Sequence, residues 1–245
     1  MNKLEVCAVS KSFDGKKIIQ DISVNLHQDE IVSLLGVSGG GKTTLFNIIS
    51  GLMKPDGGRV LLNGEDITGN SGKISYMMQK DLLMPFRTVR DNVALPLIMK
   101  GESKKNARRK AEALFHKFGL EGTEKLYPAQ LSGGMRQRAA LLRTYLFSQD
   151  VALLDEPFSA LDTITKSAVH KWYLDVMEQI KLTTFFITHD IDEAILLSDR
   201  IYILSGQPAR ITGEIIIASP RPRTADFNLT AEFIGYKKQI LESLY

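Results

Sequence analysis

The sequence is poor in the features that mark several protein classes. It holds one cysteine, Cys7, among 245 residues. No intramolecular disulfide can form, and nothing points to an oxidising compartment. No uninterrupted apolar run approaches the roughly 18 residues that span a bilayer. The opening stretch MNKLEVCAVSKSF lacks the apolar core of a secretory signal. Charge of one sign is not in excess: 31 Lys and Arg against 28 Asp and Glu give a net charge of +3. That balance does not call for nucleic acid as a partner. The densest basic stretch, Lys104-Lys105 with Arg108-Arg109-Lys110, falls where a helix is expected and reads as a solvated face. A soluble cytosolic protein is the expectation.

What is present is ordinary globular material, 44% hydrophobic and 24% charged. The length suggests one to two domains at about 150 residues each. Alternation over residues 3–12, a turn at Asp14-Gly15-Lys16 and alternation over 18–26 predict two strands. The apolar run 30–35 is a buried strand feeding a glycine cluster. Helical spacing of Leu45, Ile48, Ile49 and Leu52 predicts a helix over 43–53, stopped by Lys54-Pro55-Asp56-Gly57-Gly58. Residues 59–62 with Asn63-Gly64 form a strand and turn. From about Asp81 the pattern becomes helical. Ser103 is a candidate N-cap, and Ala107, Ala111, Leu114, Phe115 and Phe118 share one face up to Gly119. Strands at 151–154 and 184–187 flank a long helix at 163–180, which implies a parallel sheet covered on both faces. From Ser219, two prolines and a short amphipathic pattern read as a linker and terminal helix.

Three motifs carry chemistry. Gly36-Val37-Ser38-Gly39-Gly40-Gly41-Lys42-Thr43 follows a buried strand and opens a helix, the context of a phosphate-binding P-loop. Glycines let backbone N–H groups wrap phosphates, and the helix start adds its positive end. Lys42 is placed to reach the β- and γ-phosphates, and the Thr43 hydroxyl to bind Mg²⁺. Second, Val151-Ala-Leu-Leu-Asp155-Glu156-Pro157 ends a buried strand in two acids, beside the P-loop in such sheets. Asp155 is the Mg²⁺ candidate and Glu156 the general base for water. Third, Leu131-Ser132-Gly133-Gly134-Met135-Arg136-Gln137-Arg138 begins another helix with an anion-binding composition. One nucleotide needs one P-loop, so Ser132, Gly133 and Gly134 make sense as a cradle that closes on the nucleotide of a second copy.

This last octet resembles the signature motif of ATP-binding cassette (ABC) transporter ATPases. The other landmarks of that family follow in order, over about residues 3 to 210. The resemblance implies that Phe13 stacks on adenine and that Gly36 to Thr44 hold ATP, Thr44 included. It implies that Gln79 contacts Mg²⁺ and water and relays to a membrane subunit. Asp162, in Ser159-Ala-Leu-Asp162, then lines the dimer seam, and His189 senses the γ-phosphate. The implied fold is α/β: a P-loop NTPase core with a mostly parallel sheet, an N-terminal antiparallel β subdomain and an inserted α-helical subdomain. The expected division is an ATPase domain over 1–218, with its helical insertion at about 81–145, and a linker with accessory helix over 219–245.

The segment from Asp81 through Pro85-Phe86-Arg87-Thr88-Val89 to Pro96 is similar to importer ATPases of the nitrate, sulfonate and taurine group. Arg221-Pro-Arg223 and the terminal helix are also like that group, some members of which serve thiamine-precursor uptake. Leu142-Arg-Thr-Tyr145 and the Gly39-Gly40-Gly41 run depart from the usual pattern without touching a group needed for hydrolysis. The implied partners are a second copy packed head to tail, a transmembrane permease and an extracytoplasmic substrate-binding protein, with ATP and Mg²⁺ as ligands. The implied location is peripheral, on the cytoplasmic face of the membrane. Leu82, Leu83, Met84 and Phe86 read either as a docking site or as core of the helical insertion. The competing class is a soluble cassette acting on DNA or ribosomes. Lys42 and Ser132 lie only 90 positions apart with no heptad run, and the chain has one P-loop, both against that class. A P-loop kinase leaves the signature and His189 unexplained.

Overall fold

The computed structural model describes residues 2–148, 150–159, 163–223 and 225–244. The first strands, β1 (Asn2–Phe13) and β2 (Lys16–His27), form the expected hairpin. Ile22, Val24 and Leu26 turn inward because alternate residues of a strand share a face. After β3 (Ile31–Gly36) and α1 (Lys42–Ile49) come β4 (Gly57–Leu62), β5 (Glu65–Asp66) and β6 (Ser75–Met77). The helical insertion supplies α2 (Val89–Met99), α3 (Lys104–Glu112) and α4 (Gly133–Phe147). The chain then alternates β7 (Val151–Asp155), α5 (Thr163–Ile180), β8 (Thr183–Thr188), α6 (Ile191–Leu197) and β9 (Arg200–Ser205). It finishes with β10 (Arg210–Ile216) and α7 (Ala231–Leu244).

Two sheets result. The antiparallel one runs β2-β1-β4-β5, and the larger one runs β10-β9-β3-β8-β7-β6. In the larger sheet every pairing is parallel except β10 with β9. Strands β3, β7 and β8 are buried at every residue, as parallel strands covered on both faces must be. Their register brings Leu35 opposite Thr188 and Asp155 opposite Ile187. The carboxyl ends of three neighbouring strands therefore open at one edge, where ligands bind in such sheets. No helix among the described residues is long and apolar enough to cross a membrane.

Two helices end earlier than the periodicity predicts. Helix α1 stops at Ile49 because Gly51 turns left-handed, at φ 75°, and packs its backbone against Asn70. Leu52, placed on the helix face by spacing alone, is instead 58% exposed. Helix α3 stops at Glu112, and Phe115 and Phe118 reach the insertion's core from turns. The basic face of α3 is solvated at Lys104, Lys105 and Arg109. Arg108 makes a forked bond to Asp91 at 2.6 and 2.8 Å, which ties α3 to α2. At the other end of the chain, Phe233 and Ile240 of α7 are buried in a cluster that includes Leu35, Ile195 and Ile203.

Candidate nucleotide site

The loop between β3 and α1 is shaped by backbone conformations that side chains disfavour. Gly39 and Gly41 have φ of 76° and 87°, and a Cβ on Gly41 would lie 2.6 Å from Ile19 Cγ2. Only glycine fits there without strain. Lys42 closes the loop by donating from Nζ to the carbonyls of Gly36 and Val37, at 2.8 and 2.9 Å. Burial lowers its pKa, against the opposing pull of Glu156 and Asp155. The loop and the start of α1 line an open cleft of about 390 Å³.

Across that cleft lie Asp155 and Glu156, at the end of β7. Thr43 Oγ1 donates to Asp155 Oδ2 at 3.1 Å, and the Tyr76 hydroxyl donates to the same oxygen at 3.3 Å. Burial raises the Asp155 pKa, partly offset by those two donors. Glu156 has φ 46°, a left-handed conformation uncommon outside glycine. It is held there by its own N–H donating to Ile187 and by Ser159, whose N–H and hydroxyl both donate to the Glu156 carbonyl. The consequence is that its carboxylate points into the cleft, where Gln79 Nε2 donates to Oε2 at 3.1 Å. His189 Nδ1 lies 3.2 Å from Oε1.

The fold thus gathers Ser38, Gly39, Gly41, Lys42, Thr43 and Thr44 with Gln79, Asp155 and Glu156 around one cleft. His189 adjoins it through Glu156, beside a smaller cavity of about 60 Å³. Phe13 and the Ser132-Gly133-Gly134 run stand apart. Phe13, at the end of β1, is 42% exposed, with the Lys11 ammonium 5.7 Å from its ring centre. Ser132 caps α4 by accepting from Met135 N at 3.2 Å, so Ser132, Gly133 and Gly134 start a helix that does not line the cleft. Asp162 lies outside the described residues. Three residues escaped the sequence reading: Tyr76, Ile18 beneath Gly41, and Glu193 behind His189. For Glu193 a signal existed, since Asp190-x-x-Glu193 opening an apolar helix is a capping pattern.

Of the apolar segment after Gln79, Leu83 is buried in the insertion's core, whereas Leu82, Met84 and Phe86 are exposed. Asn92, fully buried, sets this arrangement. Its amide donates to the carbonyls of Met84, Arg87 and Thr88, and its oxygen accepts from Met84 N–H.

A glycine loop wrapped before a helix, a lysine folded into it and an aspartate on the next strand but one define a P-loop nucleotide-binding protein. The ABC transporter family model matches residues 19–159, and the chain belongs to that family as one of its ATP-hydrolysing cassettes. It is 48% identical over 191 residues to a formylaminopyrimidine import ATP-binding protein of Halalkalibacterium halodurans, covering 78% of this chain and 74% of the relative. It is 39% identical over 233 residues to an aliphatic sulfonates import ATP-binding protein of Bacillus cereus, covering 95% and 90%. It is similar in structure to an ATP-binding cassette solved as a dimer in a post-hydrolysis state with ADP and Pi. The TM-score there is 0.75 and the identity 28%, with coverage of 89% of this chain and 100% of the other.

Proposed function

We propose that the chain powers an importer of a small nutrient, working as a head-to-tail homodimer beneath a membrane permease. The observation that carries this reading is the position of Ser132-Gly133-Gly134. They crown a 15-residue helix outside the chain's own cleft, a second anion-binding helix start that serves a nucleotide only across a seam between two copies. The structurally similar cassette solved as a dimer with ADP and Pi supports the pairing of two copies.

In this reading the loop amides and Lys42 hold the phosphates, and Phe13, exposed at the hairpin end, stacks on the base. Thr43 Oγ1 and Asp155 Oδ2, hard oxygens 3.1 Å apart, suit Mg²⁺, which keeps few protein ligands and shares phosphate oxygens. When bound, the ion neutralises charge on the phosphates. Glu156, oriented by Gln79 and His189, accepts the proton of the water that attacks the γ-phosphate, and His189 senses that phosphate. ATP bridges both copies, so it binds the closed dimer better than the open one, and that difference drives closure. Asp162 is assigned to the seam.

A groove of about 370 Å³ lined by Leu52, Leu82, Leu95, Pro96, Met99 and Phe147 receives the permease. It lies next to the segment that follows Gln79. The named cargoes of the relatives, formylaminopyrimidine and aliphatic sulfonates, together with nitrate for a Synechocystis relative 34% identical, favour a small polar nutrient delivered by an extracytoplasmic binding protein. The chain then sits peripherally on the cytoplasmic face. Tagged Glu156→Gln protein, drawn from native membranes in mild detergent with ATP, tests this. A polytopic membrane protein recovered in a 2:2 ratio is the expected result. Soluble homodimer alone, or ribosomes or DNA, would overturn it in favour of a soluble cassette.

A further inference from the structure

His189 sits between two residues that are themselves tied down from behind. Thr188, before it, donates from Oγ1 to Glu193 Oε2 at 2.6 Å and accepts from Asp190 N–H at 3.0 Å. Asp190, after it, uses Oδ1 to cap α6, accepting from the N–H groups of Asp192 and Glu193 at 2.9 and 3.2 Å. Its other oxygen accepts from Lys166 Nζ at 2.8 Å. The same ammonium lies 2.5 Å from Glu193 Oε1, and His170 Nε2 lies 3.4 Å from that oxygen. One cation from α5 therefore joins the two carboxylates that pin the residues on either side of His189.

The cluster is not part of the nucleotide cleft. Lys166 and Glu193 line the small cavity behind Glu156 and His189, and neither is among the residues around the phosphate loop. The Glu193 side chain is only 5% exposed. Two carboxylates this close need a cation, and removing one partner of a buried pair leaves the other uncompensated. Lys166 also lies in the first turn of α5, so its bridge is a mechanical link between that turn and the His189 corner.

We propose that Lys166 is a positioning residue for ATP hydrolysis: by bridging Asp190 and Glu193 it fixes the backbone around His189 and aims the imidazole at Glu156. This rests on the reading of His189 given above. Misplacement of a group by about 1 Å costs up to roughly a hundredfold in rate, and residues that act as a unit are strongly non-additive.

The test is steady-state ATP hydrolysis by the full chain carrying Lys166→Met, Lys166→Arg, His189→Ala or Lys166→Met with His189→Ala, with thermal melting of each. Lys166→Met is expected to lower kcat by about 10- to 100-fold while KM for ATP stays within about twofold. Lys166→Arg, which keeps the cation, stays within about threefold of wild type, and Lys166→Met adds less than about twofold in the His189→Ala background. Equal losses for Met and Arg, or the same factor again on top of an impaired His189→Ala, would overturn the inference alone. A fully active His189→Ala would overturn the reading of His189 and the inference with it. If Lys166→Met does not fold, Glu193→Gln, isosteric but uncharged, is held to the same split and the same non-additivity.

Discussion

The His189 imidazole and the Glu156 carboxylate meet at 3.2 Å, Nδ1 to Oε1. With Gln79 on the other oxygen, both Glu156 oxygens have a polar neighbour that orients the carboxylate. A general base must be held within hydrogen-bond reach of the proton it takes, and this contact suits the role proposed for Glu156. The left-handed backbone at Glu156 fits the pattern of strain kept at working sites by the structure around it.

Glu156→Gln preserves the shape and the acceptor oxygen but removes the basicity. Turnover is expected to fall at least about a hundredfold, the low end for losing a general base, with ATP binding retained. Single-turnover hydrolysis beside nucleotide-binding titrations checks this. Activity near wild type would remove Glu156 from the role.

Two glycines separate backbone strain from steric contact. Gly41 and Gly64 both have positive φ, 87° and 81°. A Cβ on Gly64 meets nothing within 4 Å, while one on Gly41 meets Ile19 Cγ2 at 2.6 Å, and Ile19 is fully buried. Each alanine carries the left-handed penalty of about 1–2 kcal/mol. Gly41→Ala should add a displacement of the phosphate loop. The expected result is a similar small loss in melting temperature for Gly64→Ala with unchanged ATP affinity. Gly41→Ala should lose more stability, and at least about tenfold in affinity, the equivalent of 1.4 kcal/mol. Equal behaviour of the two would mean the loop adapts freely around Ile19.

Much of this arrangement was legible in the sequence because central parallel strands are written as continuous apolar runs. Strands β3, β7 and β8 stand where those runs do, and α5 spans Thr163–Ile180 as its spacing predicts. Helix ends were less legible. The stop of α1 depends on Gly51 packing against Asn70, a contact that local periodicity does not contain. Nor does spacing reveal that Tyr76 donates to Asp155, or that Lys166 reaches Asp190 and Glu193. These bonds join residues 79, 24 and 27 positions apart, and only the tertiary fold brings them together. The split between buried Leu83 and exposed Leu82, Met84 and Phe86 likewise follows from Asn92, which fixes the turn from eight positions away.

The cluster behind His189 carries a pH signature. Burial pushes the Glu193 carboxyl up, but bonds from His170, Lys166 and Thr188 together hold it below its ordinary value of 4.5. Asp190 is likewise held below 3.8, its burial outweighed by Lys166 and the α6 amides. A carboxyl depressed in the folded state stabilises above its unfolded pKa and loses that contribution as pH falls through the folded value, because the unfolded chain binds more protons in that window. Melting temperature should therefore fall as pH drops below about 4.5, and less steeply for Glu193→Gln, which has no proton to bind at that site. Parallel pH profiles of the two proteins would show that Glu193 is not depressed.

Helix α7 is joined to the phosphate loop through the core it closes. Phe233 is 2% exposed and meets Phe227 edge to face, with ring centres 5.7 Å apart. The same cluster contains Leu35, the last side chain of β3 before Gly36. Gly36 in turn presses so closely on the Leu204 carbonyl of β9 that a Cβ there would come within 2.6 Å. A cavity at Phe233 therefore loosens the strand that presents the loop. Phe233→Ala should cost about 3–5 kcal/mol, the range for a buried phenylalanine, and ATP affinity should weaken with it. Its neighbour Ile234, 61% exposed on the same helix, is the control, and its alanine variant should stay within about 0.5 kcal/mol of wild type. Chemical denaturation and nucleotide titration of both variants check this. Similar stabilities would mean that α7 lies on the surface without sealing it, and a destabilised Phe233→Ala with unaltered ATP affinity would mean that β3 holds the loop without help from the C-terminal helix.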